Sequence, residues 1–391
     1  MPDSPSLGNG SSPYLDLNSG CNPGAILQHP GFYYHLAAMC CAERRRRYLE
    51  MNKLEASKEK TTTPTTMLLS LLKSEQQVDH SSLTIELLTK SYEQFKRYHN
   101  GRMTLYLAAE IAGTYYETGK FEMALKFFER IGKTYRKERW YTILTSILRW
   151  SLRCAKELES WDRAIECLVE LLSDALPMSD SKRTDVQAEL LQLLDKQVPN
   201  DVPDLPRPVM INMNQINAFV HCGVQFQTAT NFVNTPLTFQ ITLQANATSP
   251  PTDPFRFTAM RVLFSDPRYN YYLLDSGDAS SGDATSLIDC SQNVELYQEQ
   301  GDYLGWKTKR VNLGLAKKQV KVIQGTVLPD SCEEVKILGV CLDITSSNWA
   351  VSLNYTFGEQ NNGGQPLPRR KWLQPISGNE KKTNKLHVVL D

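Results

Sequence analysis

The chain has 391 residues, long enough for more than one core. Its 43 Lys and Arg residues balance 43 Asp and Glu, which argues against a nucleic-acid binder with its basic excess. Hydrophobic residues make up 41%, an ordinary share for a chain that folds.

Residues 1–28 are rich in Pro, Ser, Gly and Asn and are expected to be a disordered N-terminal segment. No secretory leader pattern is read there, and no apolar run reaches the ~20 residues of a membrane helix. The nine cysteines include no Cys-x-x-Cys pair. Cys154, Cys167 and Cys222 fall on apolar faces and read as buried thiols in a reducing compartment. Together these features predict a cytoplasmic protein.

At His29 the pattern turns helical, with Pro30 and Gly31 as punctuation, and it runs to about Ala56. Arg44 to Arg47 lie within it and read as a solvated face. Lys58 to Thr66 is polar, and Met67 to Lys73 is a short apolar piece of either type. Ser82 to Tyr98 is amphipathic, with Leu83, Leu87, Leu88, Tyr92 and Phe95 on one stripe.

Between Arg102 and Leu172 one idea is written twice. Phe121, Ala124, Leu125 and Phe128 stand 40 positions ahead of Trp161, Ala164, Ile165 and Leu168. An aromatic, then a small residue, then a large apolar residue along one helical face is a packing seam, in which the small residue admits a neighbouring helix. A fixed period in this range marks a helical repeat array, and the spacing of Tyr115, Ala124 and Phe128 matches the tetratricopeptide pattern. The rival reading is a four-helix bundle with a chance echo. Asp185 to Lys196 closes the helical region, which spans 29–197 as a TPR-like α-solenoid.

Four prolines between Pro199 and Pro208 then form a stiff linker at 198–209. Beyond it the period becomes two. Val220 to Phe226, Leu237 to Ala245, Phe257 to Phe264, Tyr269 to Leu274, Lys318 to Val327, Val335 to Ile344 and Trp349 to Phe357 read as strands. One oily face and one wet face predict an antiparallel, immunoglobulin-like β-sandwich over 210–391. Asp275 to Ser286 and Gly358 to Pro368 are expected to be flexible loops.

No catalytic constellation emerges. Gly113 to Lys120 glances at a phosphate loop, but its glycines are too far apart and Phe121 replaces the Ser or Thr. No metal-ligand spacing joins the six histidines, and Asp275, Asp278 and Asp283 lack the spacing of a calcium loop. The residues therefore predict an interaction protein without enzymatic activity or cofactor.

The segment PGFYYHLAAMCCAERR (Pro30 to Arg45), the run IELLTKSYEQFKRY (Ile85 to Tyr98), both repeat copies and RWYTILTSILRWSLRCA resemble the Foie gras domain family. This is the family of the large eleventh subunit of the TRAPP (transport protein particle) complex. The resemblance covers roughly 23–197 and more weakly extends to the β-region. It implies a non-catalytic scaffold that binds other TRAPP subunits and acts indirectly on a Rab-type GTPase. It also implies a place in vesicle tethering between endoplasmic reticulum and Golgi and in autophagy, peripheral at those membranes. The family's regions before the HPGFYY motif and after the last strand are missing here, so a truncated form is expected. The structural seam would be Tyr115, Phe121, Ala124, Phe128, Trp161, Ala164 and Leu168, and Phe32, Tyr33 and Tyr34 a candidate interaction surface. A rival function is a cargo or coat adaptor that takes peptides through its β-sandwich by strand addition.

Overall fold

A computed structural model describes residues 29–57, 66–195, 206–245, 255–278 and 285–357, except 293, 299–302, 304 and 317–318, together with Trp372. The expected disordered segment 1–28, most of the proline-rich stretch and the loop 358–368 lie outside the described residues. Helices come first and sheets second. By packing, the chain divides into one compact unit of residues 1–134 with 153–159 and another of 135–152 with 160–391. The division thus falls within the helices, not at the proline-rich stretch.

The first unit contains α1 (Pro30–Ser57), α2 (Thr66–Gln76), α3 (His80–Arg97), α4 (Gly101–Glu117) and most of α5 (Phe121–Glu138). α1 packs along α3, and α3 along α4. Their shared core is Ala38, Leu88, Phe95, Leu107 and Ile111, with Phe32, Tyr92, Tyr115 and Phe127 packed on its rim. Leu87 is only partly buried, and Leu83 is exposed despite its place on the predicted stripe.

From the end of α3 to the start of the helix at Trp161 the helices keep a strict local rule. α6 (Tyr141–Glu157) and α7 (Trp161–Leu171) continue it. Backbone φ is positive at His99 (58°), Gly119 (74°), Arg139 (59°) and Glu159 (53°), one residue in every 20. At the first three, the next N–H (Asn100, Lys120, Trp140) donates five residues back, to the carbonyls of Phe95, Tyr115 and Tyr135. The positive-φ residues His99, Gly119 and Arg139 donate three back, to Lys96, Tyr116 and Arg136. This pair of bonds is the Schellman stop. The following carbonyl starts the next helix, because Asn100, Lys120, Trp140 and Ser160 accept from Thr104, Ala124, Leu144 and Ala164. Burial keeps the same beat, with Leu88, Ala108, Phe128, Leu148 and Leu168 all buried. The 40-residue offset in the sequence is therefore two 20-residue units.

The second unit carries the start of α6, then α7, α8 (Asp180–Asp195) and thirteen described strands. A seven-stranded sheet has the order β1-β13-β12-β5-β6-β9-β8, and a four-stranded sheet the order β2-β3-β11-β7. Their members are β1 (Arg207–Asn212), β2 (Val220–Phe226), β3 (Leu237–Ala245), β5 (Ala259–Phe264), β6 (Tyr271–Asp275), β7 (Thr285–Asp289), β8 (Glu295–Leu296), β9 (Lys307–Val311), β11 (Val320–Val327), β12 (Ile337–Thr345) and β13 (Trp349–Thr356). The short pair β4 (Phe255–Arg256) and β10 (Gly314–Leu315) stands apart. The sheets meet where Phe239 of β3 contacts the rings of Phe264 at 5.2 Å and Tyr271 at 5.4 Å.

The expectation of an antiparallel sheet needs correcting. β1–β13, β6–β9 and β7–β11 pair in parallel. Parallel neighbours need long crossovers, and each of these pairs is separated by tens of residues of intervening chain. β1 also begins inside the stretch read as linker. Pro208 fits there because β1 is an edge strand, where a missing N–H costs no ladder bond.

Candidate interaction surface

The seam residues divide between the two units, and each copy follows a residue with positive φ, Gly119 or Glu159. In the first unit Ala124 is fully buried and Phe128 is 2% exposed, while Phe121 is half-buried with its ring 5.3 Å from Tyr116. Tyr115 is half-buried, 5.8 Å from Phe127. In the second unit Ala164 and Leu168 are fully buried and Trp161 is half-buried. Both copies thus sink the small and the large apolar residue and leave the leading aromatic at the rim.

The opening motif of α1 is a packing device. His29 stacks on Phe95 at 4.3 Å, and its Nδ1 accepts the N–H of Gly31 at 3.0 Å. The carbonyl of Gly31 accepts from the Ser91 hydroxyl at 2.7 Å. A Cβ on Gly31 would lie 2.8 Å from the Phe95 ring, so only glycine allows this approach. Burial pushes the imidazoles of His29 and His35 below their usual range, with Glu110 opposing part of the shift at His35.

Of the three aromatics that follow, Phe32 packs on the core while Tyr33 is 60% and Tyr34 37% exposed. The arginine run beside them is engaged with carboxylates. Arg44 grips Glu75 of α2 through two bonds of 2.6 and 2.7 Å, and Arg45 reaches Glu117 of α4 at 2.6 Å. Arg46 and Arg47 share Glu43, whose carboxyl they hold down at about 2.

In the second unit a polar hub ties helices to strands. Glu170 of α7 is fully buried and accepts from Arg136 at 2.6 to 3.0 Å and from the amide of Asn217 at 2.9 Å. Arg207 of β1 pairs with Asp162 at 3.1 Å. The Ser346 hydroxyl donates to the carbonyl of Leu194 in α8 at 2.8 Å. Buried Arg183 donates to four carbonyls between Leu172 and Met178, where it caps the C-terminal end of α7. Apart from the contacts of Arg183, these partners lie 34 to 152 residues apart in the chain, so no spacing pattern announced them.

One groove of about 760 Å³ opens in this unit. Val224 and Phe226 of β2 form one wall, the Phe232 and Val233 turn another, and the segment from Pro329 to Ile337 with Phe357 the rest. Phe232 is 82% exposed.

Residues 6–174 match the family model described as Foie gras liver health family 1. Over 225 residues the chain is 28% identical to trafficking protein particle complex subunit 11 of Gallus gallus and 27% identical to that of Homo sapiens. Each alignment covers 52% of this chain and 20% of the relative, so the chain spans about a fifth of these relatives' length. Over 138 residues it is 30% identical to the trafficking protein particle complex II-specific subunit 130 homolog of Arabidopsis thaliana, covering 35% of this chain and 11% of that one.

Proposed function

We propose, from the family match over residues 6–174 and the similarity to subunits of trafficking protein particle complexes, that this chain is a non-catalytic scaffold in a TRAPP-type assembly. The observation that carries the reading is that family match, which covers α1 to α7 and both copies of the seam. The helical region would act as a TPR-like α-solenoid, although its 40-residue helix pair is longer than the about 34 residues of a tetratricopeptide unit. The two sheets would act as an immunoglobulin-like sandwich. Through these surfaces the chain would hold other TRAPP subunits and so support activation of a Rab-type GTPase. Its place would be vesicle tethering between endoplasmic reticulum and Golgi and in autophagy, at the cytoplasmic face of those membranes. Among the described residues, no helix is long and apolar enough to cross a membrane.

The test is recovery of the small core subunits of the complex with tagged chain expressed in cells. Wild type should recover them. Phe128→Ala and Ala164→Trp, which damage the seam, should reduce recovery at matched expression, and Asp278→Asn should not. Wild type that recovers coat proteins instead would replace the scaffold reading with the adaptor one.

A further inference from the structure

We infer that the groove beside β2 is a docking site for an extended peptide of a partner protein, which adds as a strand to β2 and carries apolar residues at alternate positions with one basic residue. β2 is an edge of its sheet. Gln227 donates to Thr238 at 2.9 Å, which fixes the phase of the β2–β3 ladder. By alternation, the N–H and C=O groups of Cys222, Val224 and Phe226 point away from β3. The same phase turns the carbonyl of Val220 outward, and Tyr355 caps it with a hydroxyl bond of 2.7 Å. Among the described residues the edge is thus closed at Val220 and, from Val224 to Phe226, lines the groove.

Exposed edges ordinarily carry charge, proline or a cover against unwanted pairing. Here Val224 and Phe226 of the edge line a groove that also holds Leu237, Ile337, Phe357 and a nearly bare phenylalanine, with polar groups at its rim. An extended peptide satisfies the backbone groups of the edge, and every second side chain enters the groove between Phe226 and Phe232. The charge at the rim selects the partner further. Lys336 is already paired with Glu334 at 2.7 Å, whereas Glu333 has no ion pair among the described residues. Among the described residues the rim therefore keeps one unmatched negative charge, which a Lys or Arg of the peptide would meet. This inference does not rest on the scaffold reading, and either can fail without the other.

The probe is a phage-displayed library of random peptides of about eight residues, long enough for one strand, selected on the purified full chain. Enriched peptides are then synthesised and titrated by fluorescence anisotropy. Expected are sequences with apolar residues two apart and one Lys or Arg. Val224→Pro removes an outward donor that the β2–β3 ladder does not use, and it should weaken binding about tenfold, the worth of a hydrogen bond or two. Phe232→Ala changes an exposed side chain that folding does not need, and it should also weaken binding. Glu333→Lys should shift the selection toward acidic peptides. Bound peptide should slow alkylation of Cys332, an exposed thiol on the groove. Failure to enrich any peptide overturns the inference, as does binding unchanged in Phe232→Ala and Glu333→Lys. So does a self-association of the chain that Phe232→Asp abolishes, since the occupant is then a second copy.

Discussion

The fully buried carboxylate of Glu170 takes both Nε and Nη2 of Arg136, with bonds between 2.6 and 3.0 Å, and no other cation bonds to it among the described residues. Glu170→Ala would leave Arg136, whose side chain is 20% exposed, without its partner. Breaking a buried pair from one side costs about 3–5 kcal/mol. Replacing both residues, as in Arg136→Met with Glu170→Leu, should recover most of that loss. Denaturant titration of the two variants reads the difference.

The caps set a second expectation. Left-handed backbone costs a side-chain-bearing residue roughly 1–2 kcal/mol relative to glycine. Arg139→Gly and Glu159→Gly should therefore each raise stability, by up to about 1 kcal/mol. Gly119→Ala should lower it by about 1 kcal/mol. Apart from its chain neighbours, no atom lies within 4 Å of a Cβ added at Gly119, so the loss there comes from the backbone. Thermal midpoints of the three variants check both signs.

A third expectation concerns pH. The folded chain favours neutral His29 and His35, while the unfolded chain titrates them near 6.5. Protonation therefore favours the unfolded state. This part of the stability is complete above about pH 6.5, the unfolded value, and is lost as the pH falls through it. Thermal midpoints measured on either side of that pH should fall on acidification. His29→Asn keeps an acceptor for the Gly31 N–H and should flatten the fall.

The sheets offer a fourth. A Cβ at Gly325 of β11 would sit 2.4 Å from Cζ of Phe239. That ring is itself held by Phe264 and Tyr271 and has little room to retreat. Gly325→Ala should cost roughly 1–3 kcal/mol, and trimming the ring with Phe239→Leu should return part of it. Urea midpoints of the single and double variants decide it.

What the sequence made legible follows from which signals are local. The amphipathic face at Ser82 to Tyr98 and the alternation of Leu237 to Ala245 are periodic within one element, and both elements form there. The 40-residue offset was visible because Ala124 and Ala164 are both small. Its halving to 20 was not, because three of the four left-handed stops are His99, Arg139 and Glu159, which carry no turn signature. Only Gly119 looks like a stop. β1 hid behind Pro208, and β9, with its run Lys307-Thr308-Lys309-Arg310, has no oily face to read. The three parallel pairings and the Glu170 hub depend on groups tens of residues apart, which no window along the chain contains.

The 20-residue unit also constrains how such a chain can change its length. One unit is a single helix and a single turn, and a short turn sends the chain back the way it came. Deleting or inserting one unit would leave every stop and start intact yet reverse the heading of all that follows. Two units restore it. Length variation within this array should therefore be a matter of parity, with natural insertions and losses arriving as helix pairs of about 40 residues, a size known for helical repeats.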